Sequence, residues 1–175
     1  MSSKKAILQY IGPNLLTHLL WLILPPIGII LLLFAYLPKL SRANKSVKKL
    51  EQEGNLEKAA AELISADTKY RMKGRVALTQ SYIFCKGNGY LFAYDELQWA
   101  YKHRYTQTFL LIPIFVQESL CVGAKSMRNA DQVAVMGKDK KDEIREVLVE
   151  IAGHNNQCLI GYTNENVARF KAMKK

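Results

Sequence analysis

The chain has 175 residues, a formal net charge of +10 and 49% hydrophobic residues, which leaves room for one domain of ordinary size beside an anchor. Its three cysteines, Cys85, Cys121 and Cys158, are odd in number and lack a Cys-x-x-Cys spacing. They argue against a disulfide framework and a zinc site, and fit reduced thiols.

From Leu15 to Leu37 run 23 residues without a formal charge. A helix of that length rises about 35 Å, enough for a hydrocarbon core of about 30 Å. The sequence therefore predicts a flank over 1–14 and a transmembrane helix over 15–37, kinked at Pro25-Pro26. Two separate spans are excluded, because each half is only about 11 residues. A re-entrant hairpin stays open as the alternative. The apolar run is too long for a signal peptide and no small-x-small site follows it, so the anchor is read as uncleaved. His18 reads as an interfacial histidine without an acidic partner.

Residues 39–49 carry Lys39, Arg42, Lys45, Lys48 and Lys49 and no acid. The basic-rich side of a span stays in the cytoplasm. This predicts a single-pass protein of the plasma membrane, N-terminus outside and the C-terminal domain cytoplasmic. Two readings of the juxtamembrane run stand side by side: a topology signal, or attraction to anionic lipid headgroups at about 1 kcal/mol per residue.

Residues 38–68 read as that basic segment and a helical connector. Asn55 caps a second helix with Leu56, Ala60, Leu63 and Ile64 as its apolar stripe. Near residue 74 the period changes from helical to alternating. RVALT, SYIFCKG and YLFAY read as strands, the last two joined by a hairpin at Gly87-Asn88-Gly89. Leu97, Trp99, Tyr101, His103 and Tyr105 alternate with polar residues as a half-buried strand. TFLLIPIFVQ is too short to span a membrane and suits a strand, with Pro113 at an edge or bulge. SLCVGAK and QVAVM read as two more short strands. Ile144, Val147, Leu148 and Ile151 form the stripe of an amphipathic helix from Asp139 to about Ala152 that Gly153 stops. Thr163 or Asn164 caps a last short helix.

The order predicts an α+β chain. A transmembrane helix and helical connector precede an antiparallel bent sheet or partial barrel over 69–175, closed by a C-terminal amphipathic helix. Leu97-x-Trp99-x-Tyr101 after Asp95-Glu96, with one amphipathic helix following the strands, resembles bacterial pleckstrin-homology-like (PH-like) domains. Leu50-Glu51-x-x-Gly54 and Ile160-Gly161-Tyr162-Thr163 are similar to elements of uncharacterised bacterial single-span membrane proteins carrying such a domain. The resemblance covers residues 50–170 loosely and implies a fold more than an activity.

No His-Glu-x-x-His, Gly-x-Ser-x-Gly, phosphate loop or Gly-x-Gly-x-x-Gly occurs. Asp95 and Glu96 lie near His103 in sequence, but residues seven or eight apart on a strand are about 25 Å apart, so each reads as structural. His154 reads as solvated. No catalytic residue, metal site or cofactor is expected, and the chain is read as not an enzyme. Ten of the 17 aromatics fall between residues 82 and 115. A stacking surface for single-stranded nucleic acid is weighed and set aside, because alternating placement suits a sheet core. The binding candidates are Lys69, Arg71, Lys73 and Arg75, pointing one way at period 2, with Lys86 and Lys102. They face either solvent or an anionic lipid or acidic partner.

The function expected is that of a non-enzymatic scaffold whose cytosolic domain binds a protein partner at the membrane. The alternatives are a domain sensing anionic lipid and a membrane enzyme whose site the sequence does not display.

Overall fold

The computed structural model describes residues 2–14, 32–110 and 112–174. Among them the chain is mixed α+β, with five α-helices and two four-stranded sheets. The helices are α1 (Ser3–Ile11), α2 (Leu37–Gln52), α3 (Leu56–Ile64), α4 (Glu143–His154) and α5 (Asn164–Ala172). The first sheet holds β1 (Lys69–Arg71), β2 (Val76–Leu78), β3 (Tyr82–Cys85) and β4 (Tyr90–Ala93). The second holds β5 (Leu97–Phe109), β6 (Ile112–Ala124), β7 (Asp131–Met136) and β8 (Leu159–Ile160). The chain divides into two compact units, Met1–Lys69 with Thr79–Leu91 and Tyr70–Leu78 with Phe92–Lys175.

The first unit is built on helix periodicity. Ile7 and Ile11 lie one turn apart on α1, and Ala43, Val47 and Leu50 share one face of α2; all five are buried. Ala59, Ala60 and Leu63 of α3 complete the helical part of the core. Helix α1 packs on α2, α3 and β3. Lys4 pairs with Glu51 at 2.8 Å, and Tyr10 meets Phe84 edge-on at 6.4 Å. The amide of Gly89 donates to the Ile11 carbonyl at 2.8 Å. Gly89 sits in the β3–β4 turn at φ +76°, where a Cβ would overlap the Lys39 carbonyl oxygen of α2. Only glycine meets both demands.

These contacts correct the membrane topology. Residues 15–31 of the predicted span lie outside the described residues. Among the described residues no helix is long and apolar enough to cross a membrane. Residues Leu32–Tyr36 form a π-helical turn that runs straight into the basic helix α2. The N-terminal flank, expected on the far side of a bilayer, is α1, and it packs with α2, α3 and β3 in one core. A single-pass chain with its N-terminus outside and its C-terminal part inside separates those elements by a bilayer. The expected transmembrane helix and plasma-membrane placement are corrected on that ground.

In the second unit β7, β6, β5 and β8 lie in that order, antiparallel except for the parallel pair β5–β8. Helix α4 buries Ile144, Val147, Leu148 and Ile151 and packs on β5, and α5 packs on β5 and β8. Strand β2 is buried throughout, and a turn through Met72, Lys73 and Gly74 at positive φ precedes it. The single bent sheet or partial barrel is therefore corrected to two sheets, with no closed barrel among the described residues. Residues 112–117 of TFLLIPIFVQ and 119–124 of SLCVGAK lie in one strand, β6, while Thr108 and Phe109 at the head of the first run end β5. The two expected strands end at Gln117 and begin at Ser119, and Glu118 between them stays in β6, its buried carboxylate satisfied by partners. Helix α4 starts at Glu143, later than expected. Asp139 accepts from the amides of Glu143 and Ile144 at 2.9 and 3.0 Å, capping the helix from outside it.

Glu62 of α3 ties the helix to the segment before β3. One carboxylate oxygen accepts from Thr79 Oγ1 at 2.7 Å and the Ser81 amide at 2.9 Å; the other accepts from Ser81 Oγ at 2.8 Å. Burial pushes its pKa up, but these donors and Lys58 outweigh it and hold it below the ordinary 4.5.

Two outcomes follow for stability. Gly89→Ala lowers unfolding free energy by at least about 2 kcal/mol in denaturant titration, combining left-handed strain with a backbone overlap. Glu62→Gln costs about 1 kcal/mol at pH 7. Because the folded-state pKa is lowered, the ionised form's stabilisation is complete above pH 4.5 and fades as pH falls through the folded value. Thermal melts of parent and variant therefore converge on acidification.

Candidate functional site

Strand β5 organises the second unit. It pairs with β6 from Leu97↔Ala124 to Phe109↔Ile112. Its other neighbours are short. β8 meets β5 only at Trp99 and Ala100, and β7 meets β6 only from Glu118 to Val122. Beyond Arg104 the two long strands are thus paired only with each other among the described residues. Residues 103–108 are all exposed, on both faces of the ribbon. Tyr105 is 51% exposed, Phe115 47% and Leu110, at the turn with φ 46°, 80%. The register shifts between Gln107 and Thr108, opposite Pro113, where an edge or bulge is expected. The result is a two-stranded arm with apolar side chains near its tip. Such ribbons are marginal in water by themselves, and they present two unpaired backbone edges.

The arm is rooted in an ion cluster. Glu118 is only 4% exposed. Lys102 Nζ lies 3.4 Å from its carboxylate and 3.5 Å from those of Asp139 and Asp142. Arg104 approaches Glu118 at 3.9 Å, and the Asp139 amide donates to it. Burial tends to lower the Lys102 pKa, but Glu118 and Asp139 outweigh it and the ammonium is raised above its ordinary value. Burial likewise tends to raise Asp139. The amides of Ile144 and Glu143, with Lys102, outweigh it and hold the carboxyl below 3.8. Every member has a partner here, so the cluster is structural rather than chemical.

On the other side of β5, Trp99 and Tyr101 meet Tyr162 and Phe170. Trp99 lies 4.4 Å from Tyr101, 5.7 Å from Tyr162 and 5.2 Å from Phe170, and Tyr101 lies 5.0 Å from Tyr162. The Trp99 indole donates to the Gly161 carbonyl at 2.9 Å. Asn166 donates to the same oxygen at 3.1 Å. Thr163 caps α5 by accepting from the Asn166 amide at 3.1 Å. Gly123 leaves room for Phe170, whose ring a Cβ there would meet at 2.5 Å. Burial first, then Cys121, pushes the Tyr101 phenol above its ordinary value, so it stays neutral at physiological pH. The rings line a pocket of about 390 Å³ whose rim carries Arg128, Lys171 and Lys174 and whose lining contains no acid.

The six binding candidates do not form one row. Lys69 and Lys86 belong to the first unit, where Lys86 lies 5.9 Å over the Tyr10 ring. The other four belong to the second unit. Strand β1 ends at Arg71, and the left-handed turn through Lys73 breaks the period-2 alignment. Arg71 pairs with Glu146 at 2.7 Å, Arg75 donates to the Val135 carbonyl, and Lys102 is enclosed by carboxylates. The five juxtamembrane candidates lie on α2, where Lys45 and Lys48 are exposed, Arg42 lies 5.0 Å over Tyr90 and Lys49 pairs with Glu53 at 3.8 Å. Lys39, near the start of α2, is partly exposed. His103 is exposed on the arm, and His154 is exposed as expected while stacking on Tyr94 at 4.1 Å.

Sequence reasoning did not pick out the arm or the ring pocket. The signal for the arm was the polar, unburied character of RYTQT between apolar runs. For the pocket it was two aromatics, Tyr162 and Phe170, eight residues apart around a cap. Among the described residues no group of three His, Cys, Asp or Glu side chains is placed to hold a metal. No family model, curated protein or solved structure matches the chain.

Lys102→Met strands the buried Glu118 carboxylate and costs about 3 kcal/mol. Adding Glu118→Gln recovers at least half of that loss. A double-mutant cycle by denaturant unfolding measures both.

Proposed function

We propose that this protein is a non-enzymatic binding module whose β5–β6 arm recognises a protein partner. The observation that carries the reading is the exposure of residues 103–108 on both faces of a ribbon whose outer β5 edge is unpaired beyond Ala100. A strand of this kind is a template for an extended segment of another chain. Main-chain hydrogen bonds supply the affinity, and Tyr105 and Phe115 supply side-chain contacts. The tip offers apolar area at Leu110. Burying about 100 Å² of such surface is worth about 2.5 kcal/mol. Covered on one edge, the arm becomes a three-stranded sheet, the smallest with independent stability in water.

The PH-like resemblance agrees with recognition rather than catalysis. An anionic lipid surface is the rival occupant. Its support is the exposed pair Lys45 and Lys48 on α2, but the arm itself carries only Arg104 as a cation.

The test replaces residues 106–116 by Asn-Gly, closing the hairpin at the pair Tyr105↔Gln117. The shortened protein is expected to melt within about 3 °C of the parent, because the described side chains it removes are exposed or half-buried. It is expected to lose a stoichiometric partner that co-purifies with the full chain. Hydrogen exchange on that complex should protect the amides of residues 101–109. A partner retained by the shortened protein, or protection confined elsewhere, sinks the reading. So does salt-sensitive flotation with anionic vesicles that needs the arm, since that assigns it to lipid.

A further inference from the structure

The ring pocket beside β5 has a composition that the arm does not explain. Its floor is Trp99 and Phe170, 5% and 4% exposed, and its wall is Tyr101. Tyr162 also lines it and is 63% exposed. The volume of about 390 Å³ falls within the 300–1,000 Å³ usual for small-molecule sites.

The charge of the rim is one-sided. Lys174 is already engaged: its ammonium donates to the carbonyls of Ala124 at 2.6 Å and Lys125 at 3.2 Å and lies 5.1 Å from the Phe170 ring centre. Burial pushes its pKa down. Arg128 and Lys171 are different. Both are exposed, and among the described residues neither side chain makes a hydrogen bond, an ion pair or a ring contact. Arg71, Arg145 and Arg169, also on the surface, each find an acid. An opposing charge, Asp131, lies close enough to Tyr101 to affect its phenol, with a carboxylate oxygen accepting from the Gln132 amide at 2.8 Å.

We propose that this pocket binds a small planar aromatic anion, its ring stacked against Tyr162 and Tyr101 and its carboxylate or phosphate held by Arg128 and Lys171. Aromatic faces stack favourably in offset or tilted geometry, which is the geometry the four rings already adopt among themselves. A guanidinium and an ammonium at the rim supply charge-assisted hydrogen bonds to an anionic group. The turn at Gly161, at φ +92°, and the Trp99 indole bond hold the Tyr162 segment in place before a ligand arrives. That limits the ordering cost of binding.

The test is calorimetric titration of the full chain with 2-naphthoate, with the uncharged 2-naphthalenemethanol as its counterpart. The Trp99 indole N–H resonance reports location. The expected result is 2-naphthoate binding with Kd below about 1 mM, a shift of that resonance, and at least tenfold weaker binding of the alcohol. Arg128→Ala with Lys171→Ala should reduce the anion to the affinity of the alcohol and leave the alcohol unchanged. Tyr162→Ser should weaken both. Lys140→Ala with Lys141→Ala, which removes the same charge away from the pocket, should change neither. The proposal is overturned by equal affinity for anion and alcohol, by no saturable binding of 2-naphthoate up to about 10 mM, or by equal losses from the two double substitutions. All four altered cations are exposed, so these variants keep the fold.

Discussion

Burying the carboxylate of Glu118 inside strand β6 is the constraint on which the second unit turns. An unpaired carboxylate at 4% exposure is costly enough to unfold a small domain. It is tolerated because Lys102 reaches it diagonally from β5 and the Asp139 amide donates to it. Asp139 in turn caps α4 with the same carboxylate that contacts Lys102. One ammonium thus joins two strands, the β7–α4 connection and the start of the helix that covers the sheet. Because the pair is satisfied, β5 and β6 run on past the sheet as a single ribbon instead of breaking at Gln117-Glu118.

That continuity gives β5 three successive environments. At its base Trp99 and Tyr101 close the ring pocket. At its middle Lys102 is locked among acids. Further out, residues 103–108 are exposed, and past Arg104 their strand has β6 as its one neighbour among the described residues. The period of 2 is the same in all three segments; what changes is the neighbour. β8 covers the base and β7 stops at Glu118, so the outer part of the strand has nothing but its hairpin partner. A binding edge and a candidate ligand pocket are therefore consequences of how short the flanking strands are.

Much of the local structure is legible in residue order. The stripe of α4, the Gly87-Asn88-Gly89 turn, the Thr163 cap and the irregularity at Pro113 each follow from a nearest-neighbour rule, and each is found within a few residues of its expected place. The candidate sites were far less legible. The basic row at 69–75 depends on an unbroken strand, and the left-handed turn at Met72 and Lys73 ends it. Aromatic alternation predicts a half-buried strand through Tyr105, because it marks a pleated surface without saying whether anything lies on it. The N-terminal flank was assigned to the far side of a membrane from charge counting alone. Its isoleucines, four apart, already mark a face that needs a partner.

The sequence by itself determined what depends on contiguous residues: helix faces, turn positions, caps, the thiol state and the lack of a readable catalytic constellation. It also determined the charge and apolar character each segment carries. Only the tertiary structure decided which segments meet. It set α1 against α2, α3 and β3, enclosed Lys102 among Glu118, Asp139 and Asp142, left Arg128 and Lys171 without an acid partner among the described residues, and ended β7 and β8 short of the arm. The physical reason is that burial and ion pairing are sums over residues far apart in the chain. A lysine in an alternating strand has the same local pattern whether it faces water or three carboxylates.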